Sequence, residues 1–146
     1  MNLFRVMEIS GSALLAERQR AEVVASNLAN AETTQTPEGG PYRRMHVIFR
    51  AGLAAPRTSG LIRASFELPR AQGVRVERVM ENTAAPVRHY SPGHPDADAE
   101  GYVAYPAINP IEEMVDLMGA ARAYQLNAAA VQATKSMIQS SLDILR

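Results

Sequence analysis

The densest run of side chains able to do chemistry is His89-Tyr90-Ser91-Pro92-Gly93-His94-Pro95-Asp96-Ala97-Asp98-Ala99-Glu100-Gly101-Tyr102. Asp96, Asp98 and Glu100 alternate and a glycine follows, which is how the first half of an EF-hand loop offers oxygen ligands to calcium. The second half is missing: Ala107 stands where a bidentate Glu belongs, Glu100 replaces the usual Asp or Asn, and Pro92 and Pro95 oppose an incoming helix. His89 and His94 could join Asp96 around zinc, but the chain has no cysteine and its third histidine, His46, is remote. A surface loop with solvated carboxylates is the better reading, and no metal ligands or cofactor are assigned.

Other chemistries find less support. No Gly-x-Ser-x-Gly elbow or linked base accompanies a Ser or Thr. Gly39-Gly40 leads into Pro41 and lacks the Gly-Lys-Ser/Thr ending of a phosphate cradle. Arg43-Arg44 has no interleaved aromatics on which bases could stack. Fifteen Lys and Arg balance fifteen Asp and Glu, so no net field attracts nucleic acid or an anionic membrane. No catalytic residue is assigned, and the expectation is a protein that is not an enzyme.

The elements that position these residues follow from periodicity. At 146 residues the chain can build one ordinary core. No apolar run approaches the roughly 18–20 residues needed to span a bilayer, and Glu8 interrupts the start where a cleaved signal would be apolar. From Leu3, an alternation of four and three runs through Met7, Ser10, Leu14, Glu17, Ala21, Val24, Leu28 and Ala31, with Val6, Ile9, Ala13, Ala16 and Val23 beside it. The same alternation runs through Met114, Leu117, Ala121, Tyr124, Ala128, Val131, Lys135, Ile138, Leu142 and Leu145. Asn109-Pro110 reads as an N-cap and first helical residue, followed by Glu112, Glu113 and Asp116 where the helix dipole favours acids. Many of these seam residues are small, so a lone helix buries too little area to offset its ordering entropy and needs partners.

Between Thr33 and Pro110 fall all nine prolines and seven of nine glycines, and the helical period disappears. Strands are expected at residues 42–49, 61–68, 74–79 (alternation breaks at Arg78) and 102–105, with a flexible loop over residues 51–60. The fold expected is α+β: long N- and C-terminal helices forming a coiled-coil-like stem, with a small, mainly β domain between them. The divisions are 1–32, 33–109 and 110–146.

Ala25-Ser26-Asn27-Leu28-Ala29-Asn30-Ala31-Glu32-Thr33-Thr34 is a polar helix terminus that resembles the Asn-rich N-terminal signature of flagellar axial proteins. Glu112 to Met118, Ala121 to Asn127 and Lys135-Ser136-Met137 resemble the C-terminal signature of the same proteins. Thr36 to Arg44 and His94 to Val103 are similar to the proximal rod type within the flagellar basal-body rod protein family. Ala107-Ile108-Asn109-Pro110 departs from the usual Asn-Val lead-in to the last helix, and residues 51–68 carry no motif that resembles the family's.

The resemblance implies a structural subunit of the bacterial flagellar rod, which forms the drive shaft for motility in the periplasmic space. It implies export by the flagellar type III apparatus without a cleaved signal. Partners would be other copies of the chain and other rod and basal-body proteins, with no nucleic acid and no membrane insertion. Assembly would use Leu14, Val24 and Leu28 on the N-terminal side and Leu117, Tyr124, Val131, Ile138 and Leu142 on the C-terminal side. Asn27, Asn30 and Asn127 would set register. The alternative reading is a soluble coiled-coil adaptor or weak calcium-binding module.

Overall fold

The computed structural model describes residues 3–53 and 71–144. The order is α1 (Leu3–Ala29), β1 (Met45–Leu53), β2 (Ala71–Glu81), β3 (Val87–Tyr90), β4 (Tyr102–Tyr105) and α2 (Pro110–Ile144). The fold is α+β: a helix at each end, with small antiparallel sheets between them.

α1 holds no proline and ends where its last carbonyls find other donors. Asn30 donates its backbone and side-chain N–H to the Ser26 carbonyl at 3.1 and 2.9 Å, and the Thr33 hydroxyl donates to Asn30 Oδ1 at 3.1 Å. A turn over Thr36–Gly40 then reverses the chain, with Gly39 and Gly40 at φ 93° and 77°, a conformation that disfavours residues carrying a Cβ. The Tyr42 amide closes the excursion on the Thr33 carbonyl at 3.0 Å, which brings Arg44 and Met45 back beside the end of α1.

β1 and β2 form one two-stranded sheet, β3 and β4 a second. β1 extends through Leu53 where a loop is expected to begin at Ala51, and β2 covers Ala71–Glu81, beyond both ends of the expected 74–79. The break in alternation at Arg78 has a structural cause. Ile48 faces Arg78 while Phe49 faces Val76, so Glu77 is an inserted residue and Val74, Val76 and Val79 stay on one face. β4 matches its expected 102–105, and its Val103 is fully buried. β3 had no signal in the sequence, since it is exposed throughout and shows no apolar alternation. The expected strand at 61–68 lies outside the described residues.

An isolated two-stranded hairpin is marginal in water, and β1–β2 is supported along α1. The Ser12 hydroxyl accepts the Val74 amide at 3.0 Å and donates to the Ile9 carbonyl at 2.7 Å. Beside it Gly73 has φ 96°, and a Cβ there would fall 2.1 Å from Ser12 Oγ. On another side α1 packs against α2, whose first turn meets the end of α1, so the two helices run antiparallel. Asn109 caps α2: its Oδ1 accepts the Ile111 amide at 3.1 Å and its Nδ2 donates to Glu112 at 3.2 Å.

Candidate functional site

The residues of the N-terminal signature converge with the start of α2. Asn27 is only 1% exposed and its carboxamide is fully used. Nδ2 donates to the Met45 carbonyl at 2.7 Å and to Glu113 Oε2 at 3.0 Å; Oδ1 accepts the Met45 amide at 2.8 Å and the Tyr42 hydroxyl at 3.2 Å. Glu113, also 1% exposed, accepts Arg44 Nε at 2.6 Å on its other oxygen. Arg44 reaches Asp116 at 3.8 Å, and Asp116 accepts from Arg20 at 3.2 Å, so the network widens toward solvent. A buried carboxylate is tolerable only when paired and hydrogen-bonded, and here both conditions hold. With these polar atoms bonded inside the chain, the junction fastens α1, β1 and α2 together and leaves Asn27 and Glu113 little to offer a substrate.

The sequence pointed to Asn27 but not to its partners. Glu113 reads as a dipole charge and Arg44 as half of a basic pair in an expected strand, and 69 residues separate them, so spacing is silent about the pair. Asn30 and Asn127 are different: each bonds a carbonyl four residues earlier in its own helix, Ser26 and Ala123, both at 2.9 Å. Neither reaches another element through these bonds.

The apolar positions separate into two sets. On α1, Val24 is buried and Leu14 and Leu28 are half-buried, in line with the expected seam. On α2 the covered stripe is Glu113, Leu117, Ala120, Asn127, Val131, Thr134 and Ile138. Met114, Ala121, Tyr124, Lys135 and Leu142, traced as part of one stripe with Leu117, Val131 and Ile138, are instead exposed, and Leu145 lies outside the described residues. The physical reason is that α2 is apolar on more than one side, so four-and-three spacing can be followed along a line that straddles two faces. Polar Glu113 and Thr134 belong to the inner face because each is satisfied there, Thr134 by its own Ala130 carbonyl at 2.8 Å.

The outer surface of α2 has an unusual composition. Ile111, Met114, Val115 and Met118 cluster over its first turns at 51–72% exposure, and Tyr124, Leu126, Met137, Leu142 and Ile144 are also uncovered. No charged residue occurs from 123 to 134. Among the described residues, no helix is long and apolar enough to cross a membrane.

The Ser91–Gly101 segment forms a braced loop between β3 and β4. Asp98 Oδ1 accepts the Glu100 and Tyr102 amides, each at 2.9 Å, and Asp98 pairs through its other oxygen with Arg88, whose guanidinium also lies over the Tyr102 ring. The Tyr102 amide above all holds the Asp98 carboxyl below its ordinary value; desolvation opposes it, and the Glu100 amide and Arg88 add to the lowering. Asp96 accepts the Thr34 hydroxyl at 2.7 Å, and His94 Nδ1 accepts the Asp96 amide at 3.1 Å. His89 and His94 stack edge-on against Tyr105. Asp96 and Asp98 are therefore engaged by other groups of the chain, Glu100 reaches Arg88 at 3.6 Å, and among the described residues no group of three or more His, Asp or Glu could hold a metal ion.

Two family models match the chain, one described as flagella basal body rod protein over residues 7–35, the other as flagellar basal body rod FlgEFG protein C-terminal over residues 99–144. Similar proteins include the flagellar basal-body rod protein FlgC of Borreliella burgdorferi, 38% identical over all of this chain and 99% of that protein. The FlgC of Escherichia coli O157:H7 is 40% identical over 99% of this chain and 98% of its own length. That of Bacillus subtilis strain 168 is 38% identical over 99% of each.

Proposed function

Because the chain belongs to the FlgC family of flagellar basal-body rod proteins and is a structural subunit of the bacterial flagellar rod, we propose that it polymerises through its two terminal helices in the proximal part of that rod. The observation that carries this reading is the outer face of α2. A helix apolar on all sides belongs in an interior, and α2 has nine large apolar side chains uncovered in the single chain. Neighbouring subunits would cover them, and heterologous contacts of this kind extend a helical filament instead of closing a ring.

In this reading residues 1–32 and 110–146 are the assembly parts, forming a coiled-coil-like stem, and 33–109 is the body between them. Leu14, Val24, Asn27, Leu28, Leu117, Val131 and Ile138 hold the stem together, Asn30 and Asn127 bond carbonyls four residues earlier in the chain, and Tyr124 and Leu142 face neighbours. The role is packing without catalysis. Delivery by the flagellar type III export apparatus, residence in the periplasmic stretch of the basal body, and contact with other rod proteins complete the proposal.

The test exploits the two faces of α2. Leu117→Asp with Ile138→Asp would place charges in the inner seam and unfold the chain, which says nothing about assembly. Met118→Asp with Leu126→Asp places them on the outer face, where surface substitutions change stability by only about 0.5 kcal/mol. In a strain lacking the native copy, this second pair is expected to leave a folded subunit and non-motile cells without complete basal bodies. Normal motility would exclude the outer face from assembly.

A further inference from the structure

We propose that Asn27, Glu113 and Arg44 act as a register pin, selecting one axial alignment of α1 on α2 from several that the apolar seam would accept. Few positions are fully buried in either helix, and most of them are small: Ser10 and Ala16 on α1, Ala120 and Thr134 on α2, with Val24 the single large apolar side chain among them. Small residues repeated every seven positions mesh almost as well after a slip of one heptad, about 10 Å along the axis. On the covered stripe of α2 Ala120, Asn127 and Thr134 are seven apart, as are Leu14, Ala21 and Leu28 on α1. Apolar contact alone therefore discriminates weakly between alignments.

The polar junction does discriminate. In the observed alignment the Asn27 carboxamide makes four hydrogen bonds and both Glu113 oxygens are paired. Sliding α2 by one heptad so that Ala120 faces Asn27 carries Glu113 past the end of α1, leaving a buried amide against a methyl group. It also takes the carboxylate away from Arg44, which the adjacent Met45–Asn27 bonds hold at the end of α1. A buried polar group that is satisfied in only one alignment specifies that alignment, at some cost in stability relative to apolar packing. The alignment in turn fixes where the Ile111–Met118 cluster stands relative to the β1–β2 hairpin. In that consequence, though not in the pin itself, the inference rests on the assembly reading above.

The absence of cysteine from the chain makes a clean experiment possible. Arg20 and Asp116, whose side chains meet at 3.2 Å on the rim, become a reporter of the observed alignment as Arg20→Cys with Asp116→Cys. Arg20→Cys with Ala123→Cys reports a slip of one heptad. Each pair is treated with a short bifunctional maleimide in the purified full chain, in the parent and in Asn27→Leu/Glu113→Leu/Arg44→Met. The parent should cross-link at the first pair alone. The triple variant should keep its helical circular dichroism, lose about tenfold in the ratio of first to second cross-link, and unfold at the same or higher denaturant. Glu113→Gln, which keeps one acceptor oxygen but turns an NH2 donor toward the other neighbour, should shift the pattern part of the way, and Glu113→Leu alone should shift it further toward the slipped product. Cross-linking at the first pair only in both Glu113→Leu and the triple variant would overturn the pin. So would a triple variant that cannot fold while Glu113→Leu keeps the parent pattern. Motility is scored separately, so a shifted alignment in motile cells would leave the pin standing and remove its link to assembly.

Discussion

At the residue scale, three asparagines of similar standing in the sequence have different weights in the structure. Asn27 bonds three other residues in two segments of the chain, and truncating it leaves the Met45 amide, the Met45 carbonyl and a buried Glu113 oxygen short of partners. At about 1–3 kcal/mol for a buried group left unsatisfied, Asn27→Ala should cost about 3 kcal/mol in urea unfolding. Asn30→Ala, which loses a helix-end bond, should cost about 0.5–1 kcal/mol, and Asn127→Ala, which loses only a back-bond within its own helix, should be near neutral. Equal losses at all three positions would contradict the junction. Asp98 provides a second test. Its folded pKa is depressed, so its contribution to loop order is fully present above the unfolded value and disappears as pH falls through the folded one. The Glu100 and Tyr102 amide resonances should hold steady from neutral pH downward and move only below the ordinary carboxyl value near 3.8. Asp98→Asn should abolish that acid transition, and a transition that survives in Asp98→Asn would belong to another group.

At the element scale, the helices were legible because their cues are local: a four-and-three period, a cap at Asn109, an Asn-rich terminus. What spacing could not reveal was which face of α2 turns inward. That choice depends on Glu113 finding Arg44 and Asn27 across 69 and 86 residues. The strands were legible where they alternate and invisible where pairing alone makes them, as in exposed β3, which is held by its register with β4. The signature residues were recognisable as a pattern before their physical role was, because a buried amide looks in sequence like any polar helix end. The hairpin's dependence on α1 gives a prediction of its own. Gly73 combines a positive φ with a close approach to Ser12, so Gly73→Ala incurs about 1–3 kcal/mol of backbone strain plus the clash with Ser12 Oγ. Hydrogen exchange should then quicken at Val74 and along β1–β2 while α1 and α2 remain protected. Unchanged exchange at Val74 would mean that the hairpin is not seated on Ser12.

At the scale of the whole molecule, the protein is layered asymmetrically. α1 has the hairpin on one side and α2 on another, and its exposed positions include Arg18 and Glu22, paired with each other at 2.9 Å and content in water. α2 has one covered face and one that resembles an interior. The imbalance places the drive for association on the C-terminal helix and makes its thermodynamic character predictable. Raising ionic strength from about 0.15 to 1 M shortens the screening length from about 8 to 3 Å and weakens contacts between exposed charges, but it leaves apolar burial intact, and sulfate strengthens such burial. Self-association of the purified chain, followed by sedimentation at high concentration, should therefore persist in 1 M NaCl, increase in sulfate, and be lost in Met118→Asp/Leu126→Asp. Association that dissolved steeply with salt would move the interface from the outer face of α2 to the charged side of α1, and the two can be told apart by repeating the titration with Arg18→Ala and Glu22→Ala, which leave α2 untouched.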